Sequence, residues 1–145
     1  MEISSLRDDW VGRQFEKAEF LVQQQDLLDW ADACGETDPR FTDPANAEFQ
    51  AHPGFTSHLV SGRALPEGFP SLGDGRGIDG GKSVRSIAPI RVGDTLSATA
   101  EIADIYDKTG RSGTMVFIVH RMSFENQQGE PVSVVDWRMI RNVAG

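Results

Sequence analysis

Between Thr95 and Tyr106 apolar and polar side chains take strict turns, with Leu96, Ala98, Ala100 and Ile102 alternating with Thr95, Ser97, Thr99 and Glu101. Only extended backbone sends successive side chains to opposite faces, so the stretch is a strand with one face in a core and one toward solvent. A lone strand buries nothing and needs partners on both sides. The residues around it supply them. Upstream, residues 82–90 read as a strand that turns through Arg91-Val92-Gly93-Asp94. Downstream, the unbroken run over residues 115–119 predicts a strand covered on both faces, and the polar, Gly-containing turn over 126–130 leads into another strand over 132–141. The C-terminal half is therefore a meander.

The N-terminal half changes period. Residues 15–22, with Phe15, Phe20, Leu21 and Val22, predict a short strand; over 23–34 the apolar set Leu27, Trp30, Ala31 and Cys34 then follows the spacing of one helix face, closed by Gly35. Cys34 on that face predicts a buried, inert thiol. Pro44 is placed to open a short helix through Ala45, Ala47 and Phe49. From 52 to 81 three prolines and many glycines forbid a long helix, leaving a few turns over 55–65. One strand, helical material and successive hairpins predict an α+β domain over residues 1–145, with helix laid on one face of a curled antiparallel sheet.

Charge and cysteine content exclude several function classes. With 22 acidic against 14 basic residues the net charge is -8, which opposes a polyphosphate backbone, so nucleic acid is not an expected partner. The first ten residues lack the apolar centre of a signal peptide, and no apolar run approaches the roughly 20 residues that span a bilayer. A cytoplasmic protein without a membrane partner is the expectation. The letters of Gly75-Arg76-Gly77-Ile78-Asp79-Gly80 match a dinucleotide fingerprint, but a strand follows where a helix is required, so no such cofactor is expected. Neither the three histidines nor Asp74 with Asp79 make a metal spacing.

Nothing local marks a Ser or Cys nucleophile. Candidate chemistry lies instead in the carboxylates Glu36, Asp38 and Asp43, crowded at a helix end, where neighbouring charges tune acid–base strength. His52 and His58 flank Pro53-Gly54-Phe55 in an irregular segment suited to ligand contact, whereas His120 shares a strand face with Val116, Ile118, Met122 and Phe124 and reads as structural.

The run from Trp30 to Asp43, followed by Ala47 and Gly54-Phe55, resembles the MaoC-like (R)-specific enoyl-CoA hydratases and 3-hydroxyacyl dehydratases, and Ile87 to Leu96 resembles that family's Pro, then Gly-Asp lead-in to a long strand. The resemblance implies a hot-dog fold, a curled antiparallel sheet wrapped around a helix, usually paired with a second copy so that an acyl thioester lies at the interface. In active members an aspartate and a histidine five residues apart hold the water that adds to the enoyl thioester. Here Glu36 and Phe41 stand at those positions, and phenylalanine transfers no proton. The family's His-Gly pair, whose glycine amide polarises the thioester carbonyl, falls on Ser61-Gly62.

These departures resemble the FAS1-like dehydratase N-terminal half-domains that pair with a catalytically complete hot-dog subunit. The resemblance thus implies a hydro-lyase of acyl-CoA or acyl-carrier-protein thioesters in fatty acid metabolism, or its incomplete subunit, as homodimer or hetero-oligomer. Glu36, Asp38 and His58 are the catalytic candidates. Phe41, His52, Gly54, Phe55, Ser61, Gly62, Gly81, Lys82 and Arg85 are the substrate-binding ones, the last three offering amides and charge to a CoA phosphate. An acyl-CoA thioesterase using Glu36 or Asp38, and a non-enzymatic acyl-CoA-binding module, are the alternatives.

Overall fold

The computed structural model describes residues 2–143. Five strands, β1 (Gln14–Leu21), β2 (Gly77–Ser86), β3 (Thr95–Gly110), β4 (Gly113–Glu125) and β5 (Pro131–Val143), form one open antiparallel sheet in the order β1-β3-β4-β5-β2. In β3 the alternation seen in the sequence buries Leu96, Ala98, Ala100 and Ile102 on one face. The next buried residue, Ile105, comes three positions later, because an irregularity between Ile102 and Asp104 absorbs one residue and returns the side chains to the core.

β4 is not covered on both faces. Val116, Ile118, His120, Met122 and Phe124 are buried while Met115, Phe117 and Val119 are half-buried, Phe117 stacking on Tyr106 of β3 with ring centroids 4.8 Å apart. A run without polar residues hides its period, and the outer face here is closed by cross-strand aromatic packing instead of a second layer. β2 begins at Gly77, five residues before the expected position, pairs with β5 and not with β3 across the 91–94 turn, β1 taking that place beside β3, and slips register between Asp79 and Lys82. Gly80 is required there, since a Cβ would stand 2.9 Å from the Arg138 carbonyl oxygen of β5.

Helices cover the buried face. α1 (Ile3–Trp10), which the sequence pattern did not announce, buries Leu6 in a cluster with Ile102, Ile105, Ile118 and Met139; its Arg7 bonds Asp104 and the Ile105 carbonyl. α2 (Gln24–Ala33) buries Leu27 and Ala31, Leu27 in a second cluster that includes Phe49, Phe55, Leu96 and Phe124. Cys34 is exposed, not buried. It falls one residue past the last helical position, and Gly35, with φ of 68°, turns the chain away before the fourth position of the stripe can pack.

The helix expected from Pro44 does not form. Pro39 opens the four-residue α3 (Pro39–Thr42) instead, and beyond it the Asp43 and Asn46 side chains capture the amides of Ala45 and Glu48 at 2.9 and 2.8 Å, holding turns. The turns expected over 55–65 reduce to one 3₁₀ turn, Phe55–His58, and residues 59–76 contain no helix or strand. Among the described residues no helix is long and apolar enough to cross a membrane.

Candidate functional site

The turn after α2 brings a carboxylate to an imidazole. Gly35 reverses the chain and Glu36 folds back, its Oε1 accepting hydrogen bonds from the Thr37 and Asp38 amides, both at 2.9 Å. Those amides, Asp38's first, hold the Glu36 carboxyl below its ordinary pKa; partial desolvation opposes them, and His52 adds a smaller lowering. The other oxygen, Oε2, lies 3.4 Å from His52 Nε2, with each side chain 24% exposed. His52 Nδ1 accepts the Gly54 amide at 3.0 Å. A neutral imidazole that accepts through Nδ1 carries its proton on Nε2, the nitrogen 3.4 Å from Glu36 Oε2.

The surroundings hold this pair. Phe41 is buried and meets the His52 ring edge-on at 5.6 Å, with the Arg40 guanidinium over its own ring at 5.1 Å. Gly54 leaves room, since a Cβ there would stand 3.3 Å from His52 Nδ1 and 3.6 Å from Trp30 Nε1. Trp30 Nε1 is buried and has no hydrogen-bond partner. Its place on the α2 stripe explains its packing but gave no signal of an unpaired donor beside Gly54.

Asp38 is employed structurally. It caps α3 by accepting the Arg40 amide at 3.0 Å, and its carboxylate grips the Arg40 guanidinium with contacts of 2.8 to 3.3 Å, which lower its pKa, the side-chain contact most. His58 stacks on Trp30 with centroids 5.0 Å apart, and its Nδ1 meets the Phe55 carbonyl, so it faces α2 and not Glu36. Phe55 is buried in the core.

The remaining candidates gather elsewhere. Ser61, Gly62 and Lys82 line a separate cavity with His120 and Trp137, and Lys82 Nζ donates to the Ser57 carbonyl at 2.7 Å. Arg85 lines a groove with Arg121 and Asp136. Three residues apart on β2, Lys82 and Arg85 stand on opposite faces, so Gly81, Lys82 and Arg85 do not converge as one phosphate clamp. His120 is 5% exposed with Nε2 unpartnered; its place among apolar residues on β4 foretold burial but not a cavity beside it.

Comparison with known proteins bears on the family and the fold. The family model described as FAS1-like, dehydratase domain region, matches residues 9–135. The chain belongs to that family. No curated protein matches this FAS1-like dehydratase domain. Among solved structures, a MaoC-like dehydratase from Rhodospirillum rubrum is similar at a TM-score of 0.63 and 22% identity, over 97% of both chains. The ChsH1-ChsH2 complex from Mycobacterium tuberculosis is similar at a TM-score of 0.70 and 17% identity, over 99% of this chain and 95% of that one. A MaoC-like dehydratase from Phytophthora capsici has a TM-score of 0.74 and 22% identity over the whole chain, which spans 52% of that protein's length. The open five-stranded sheet of the FAS1-like domain is thus a hot-dog fold, as the resemblance implied, with the segment after His52 reduced to one 3₁₀ turn.

Proposed function

We propose that this domain binds an acyl thioester, carried on CoA or acyl carrier protein, and adds water to its 2-enoyl form or removes water from its 3-hydroxyacyl form. Glu36 and His52 are the proton-handling pair. The observation that supports this reading is the 3.4 Å approach of His52 Nε2 to Glu36 Oε2 in a chain whose position for the family's histidine is Phe41. An imidazole absent at one position is supplied from another, sixteen residues past Glu36 by number.

The division of labour follows from the hydrogen bonds. The amides clamp one Glu36 oxygen and keep the carboxylate ionised, leaving Oε2 free to accept a proton. The Gly54 amide fixes the His52 tautomer, so Nε2–H donates to the oxygen of a water shared with Oε2. As that oxygen bonds to C3 of the enoyl group, its proton passes to Glu36 and the electron pair moves through C2 toward the thioester carbonyl. C2 then takes the proton from Glu36, and dehydration runs the same steps backward. Positioned acid–base groups of this kind supply about 10²–10⁴ in rate.

Loss of the conjugated enoyl-thioester absorbance of crotonyl-CoA tests the reading. The unmodified chain should turn over, and Glu36→Gln and His52→Gln should each lower kcat roughly 100-fold or more. Release of free thiol in place of hydration would favour the thioesterase. A second reading has its own support in Phe41 and in a similar structure that is a complex of ChsH1 with ChsH2: the domain would be the incomplete subunit of a pair. It predicts no hydration by the chain alone and hydration restored by a hot-dog partner bearing both Asp and His.

A further inference from the structure

We propose that Thr56 and Ser133 are positioning residues for the Glu36–His52 pair: their hydroxyls, bonded to each other, pin to the sheet the turn that carries His52. The proposal rests on the acid–base reading above. Thr56 Oγ1 and Ser133 Oγ lie 2.7 Å apart, and the two residues are only 1% and 2% exposed. Thr56 belongs to the 3₁₀ turn Phe55–His58, and Ser133 to β5, 77 residues further along the chain. Hydrogen bonds inside the turn carry the constraint from Thr56 to the imidazole. The Phe55 amide donates to the His52 carbonyl at 2.9 Å, and Ser57 donates to the Gly54 carbonyl through its amide at 3.1 Å and its hydroxyl at 2.7 Å. The Gly54 amide in turn donates to His52 Nδ1 at 3.0 Å. What fixes Thr56 therefore fixes the donor that orients the ring.

The other ties on this turn differ in kind. The Ala51 amide bonds the Ile90 carbonyl at 2.8 Å, ahead of His52, and the Lys82 ammonium reaches the Ser57 carbonyl at 2.7 Å from an exposed, flexible stem. Beyond His58, residues 59–76 hold no helix or strand to clamp the turn from that side. Stability alone does not account for the buried pair. A neutral hydrogen bond contributes little net, and replacing both buried partners by apolar groups of like shape is nearly neutral. Phe55 and Val132, their neighbours in sequence, and Phe124, opposite Ser133 on β4, already form an apolar core that would accept such groups. Apolar contact has no direction, whereas a hydroxyl pair holds one distance. The site needs that precision. His52 Nε2 stands 3.4 Å from Glu36 Oε2, so a slip of a few tenths of an ångström takes a shared water out of reach of one of them.

The test uses the full chain and three readouts: denaturant stability, kcat and KM for crotonyl-CoA hydration, and hydrogen exchange of the Gly54 amide followed by NMR. Thr56→Val and Ser133→Ala each strand one buried hydroxyl and should lose stability. The double variant Thr56→Val/Ser133→Ala strands none and should regain most of it, so it serves even where a single variant does not fold. A purely structural pair would then leave the double variant with the parent's kcat. Positioning predicts otherwise: kcat should stay roughly tenfold down with KM within about twofold, and the Gly54 amide should exchange roughly tenfold faster. Thr56→Ser, which keeps the hydroxyl, should hold both readouts near the parent values. A parent-like kcat or a parent-like Gly54 exchange rate in the double variant would overturn the proposal. Failure of the parent chain to hydrate crotonyl-CoA would sink the acid–base reading instead, and the Gly54 exchange rate would still decide whether the hydroxyl pair holds the turn.

Discussion

His52 and His120 differ in what decides the use of an imidazole. The His52 side chain is about a quarter exposed, with the Gly54 amide bonded to Nδ1 and the Glu36 carboxylate 3.4 Å from Nε2. His120 is buried, flanked by two aromatic edges, and lacks a partner for Nε2. The first arrangement fixes a tautomer beside a charge and leaves water access, which suits proton movement. The second excludes water from Nε2 and holds the ring neutral, which suits a packed ring in the core. Only residues 53–58 separate His52 from the loop over residues 59–64 that roofs the His120 cavity. The contrast shows that partner supply and burial, more than residue type, assign the chemistry.

The largest effect that would break the comparison is on rate. His52→Gln should cut hydration roughly 100-fold or more while moving thermal stability little, because the side chain is partly solvated. His120→Gln should do the reverse, with kcat for a plain crotonyl thioester near that of the parent chain and the loss falling on stability. Equal rate losses in both variants would mean that the two regions act as one site.

Next in size is the effect of crowding. Gly54→Ala introduces a Cβ 3.3 Å from His52 Nδ1, in backbone of ordinary negative φ (-85°), so steric contact and not strain is what it tests. The ring must shift by a few tenths of an ångström and loosen its bond to the Gly54 amide. A fall of roughly tenfold in kcat is expected, in line with the sensitivity of acid–base geometry to misplacement. Unchanged kcat would show that His52 need not be held there.

A smaller effect separates the two rings by pH. His120 has a depressed folded pKa, so between that value and the unfolded value near 6.5 the unfolded chain binds the proton that the folded chain refuses. Stability therefore rises with pH through this window and is lost as pH falls from about 6.5, at a slope of no more than about 1.4 kcal/mol per pH unit for one proton. Denaturant titrations from pH 7 downward should show this slope in the parent chain and not in His120→Gln. The same slope in both would assign it to other groups.

Much of this contrast was out of reach of the sequence, and the reason differs by region. The β3-β4-β5 meander was legible because period-two alternation in β3 and the turn residues at 126–130 act locally, whereas β2, read as entering β3 through the turn at 91–94, pairs with β5 at the far edge, a long-range pairing that no turn residue encodes. α2 was legible through Leu27 and Ala31, yet Cys34 was misjudged because a stripe does not say where the helix stops. α1 went unseen, since Leu6 is its only fully buried residue and a single apolar position has no period. At the site, Glu36 and the substituted Phe41 could be read from the resemblance. The meeting of His52 with Glu36 could not, because it depends on turns held by Asp43 and Asn46 side chains over residues 43–48. The cavity beside His120 is a long-range consequence of packing irregular residues 59–64 against β4 and β5, which no local pattern encodes.

The smallest expected effect concerns Asp38, the carboxylate nearest to Glu36 in sequence and the other candidate base. Its carboxylate is engaged by the Arg40 amide and guanidinium, and its pKa is lowered by them, so it is an ionised capping group. Asp38→Asn keeps an oxygen able to cap α3 and removes only the charge facing Arg40. The rate should stay within about a factor of two of the parent, because neither Glu36 nor His52 loses a side-chain partner and the Asp38 amide that Glu36 accepts from is backbone. A loss as large as that of Glu36→Gln would move the proton-handling role to Asp38 and dissolve the asymmetry between a carboxylate aimed at an imidazole and one spent on a helix end.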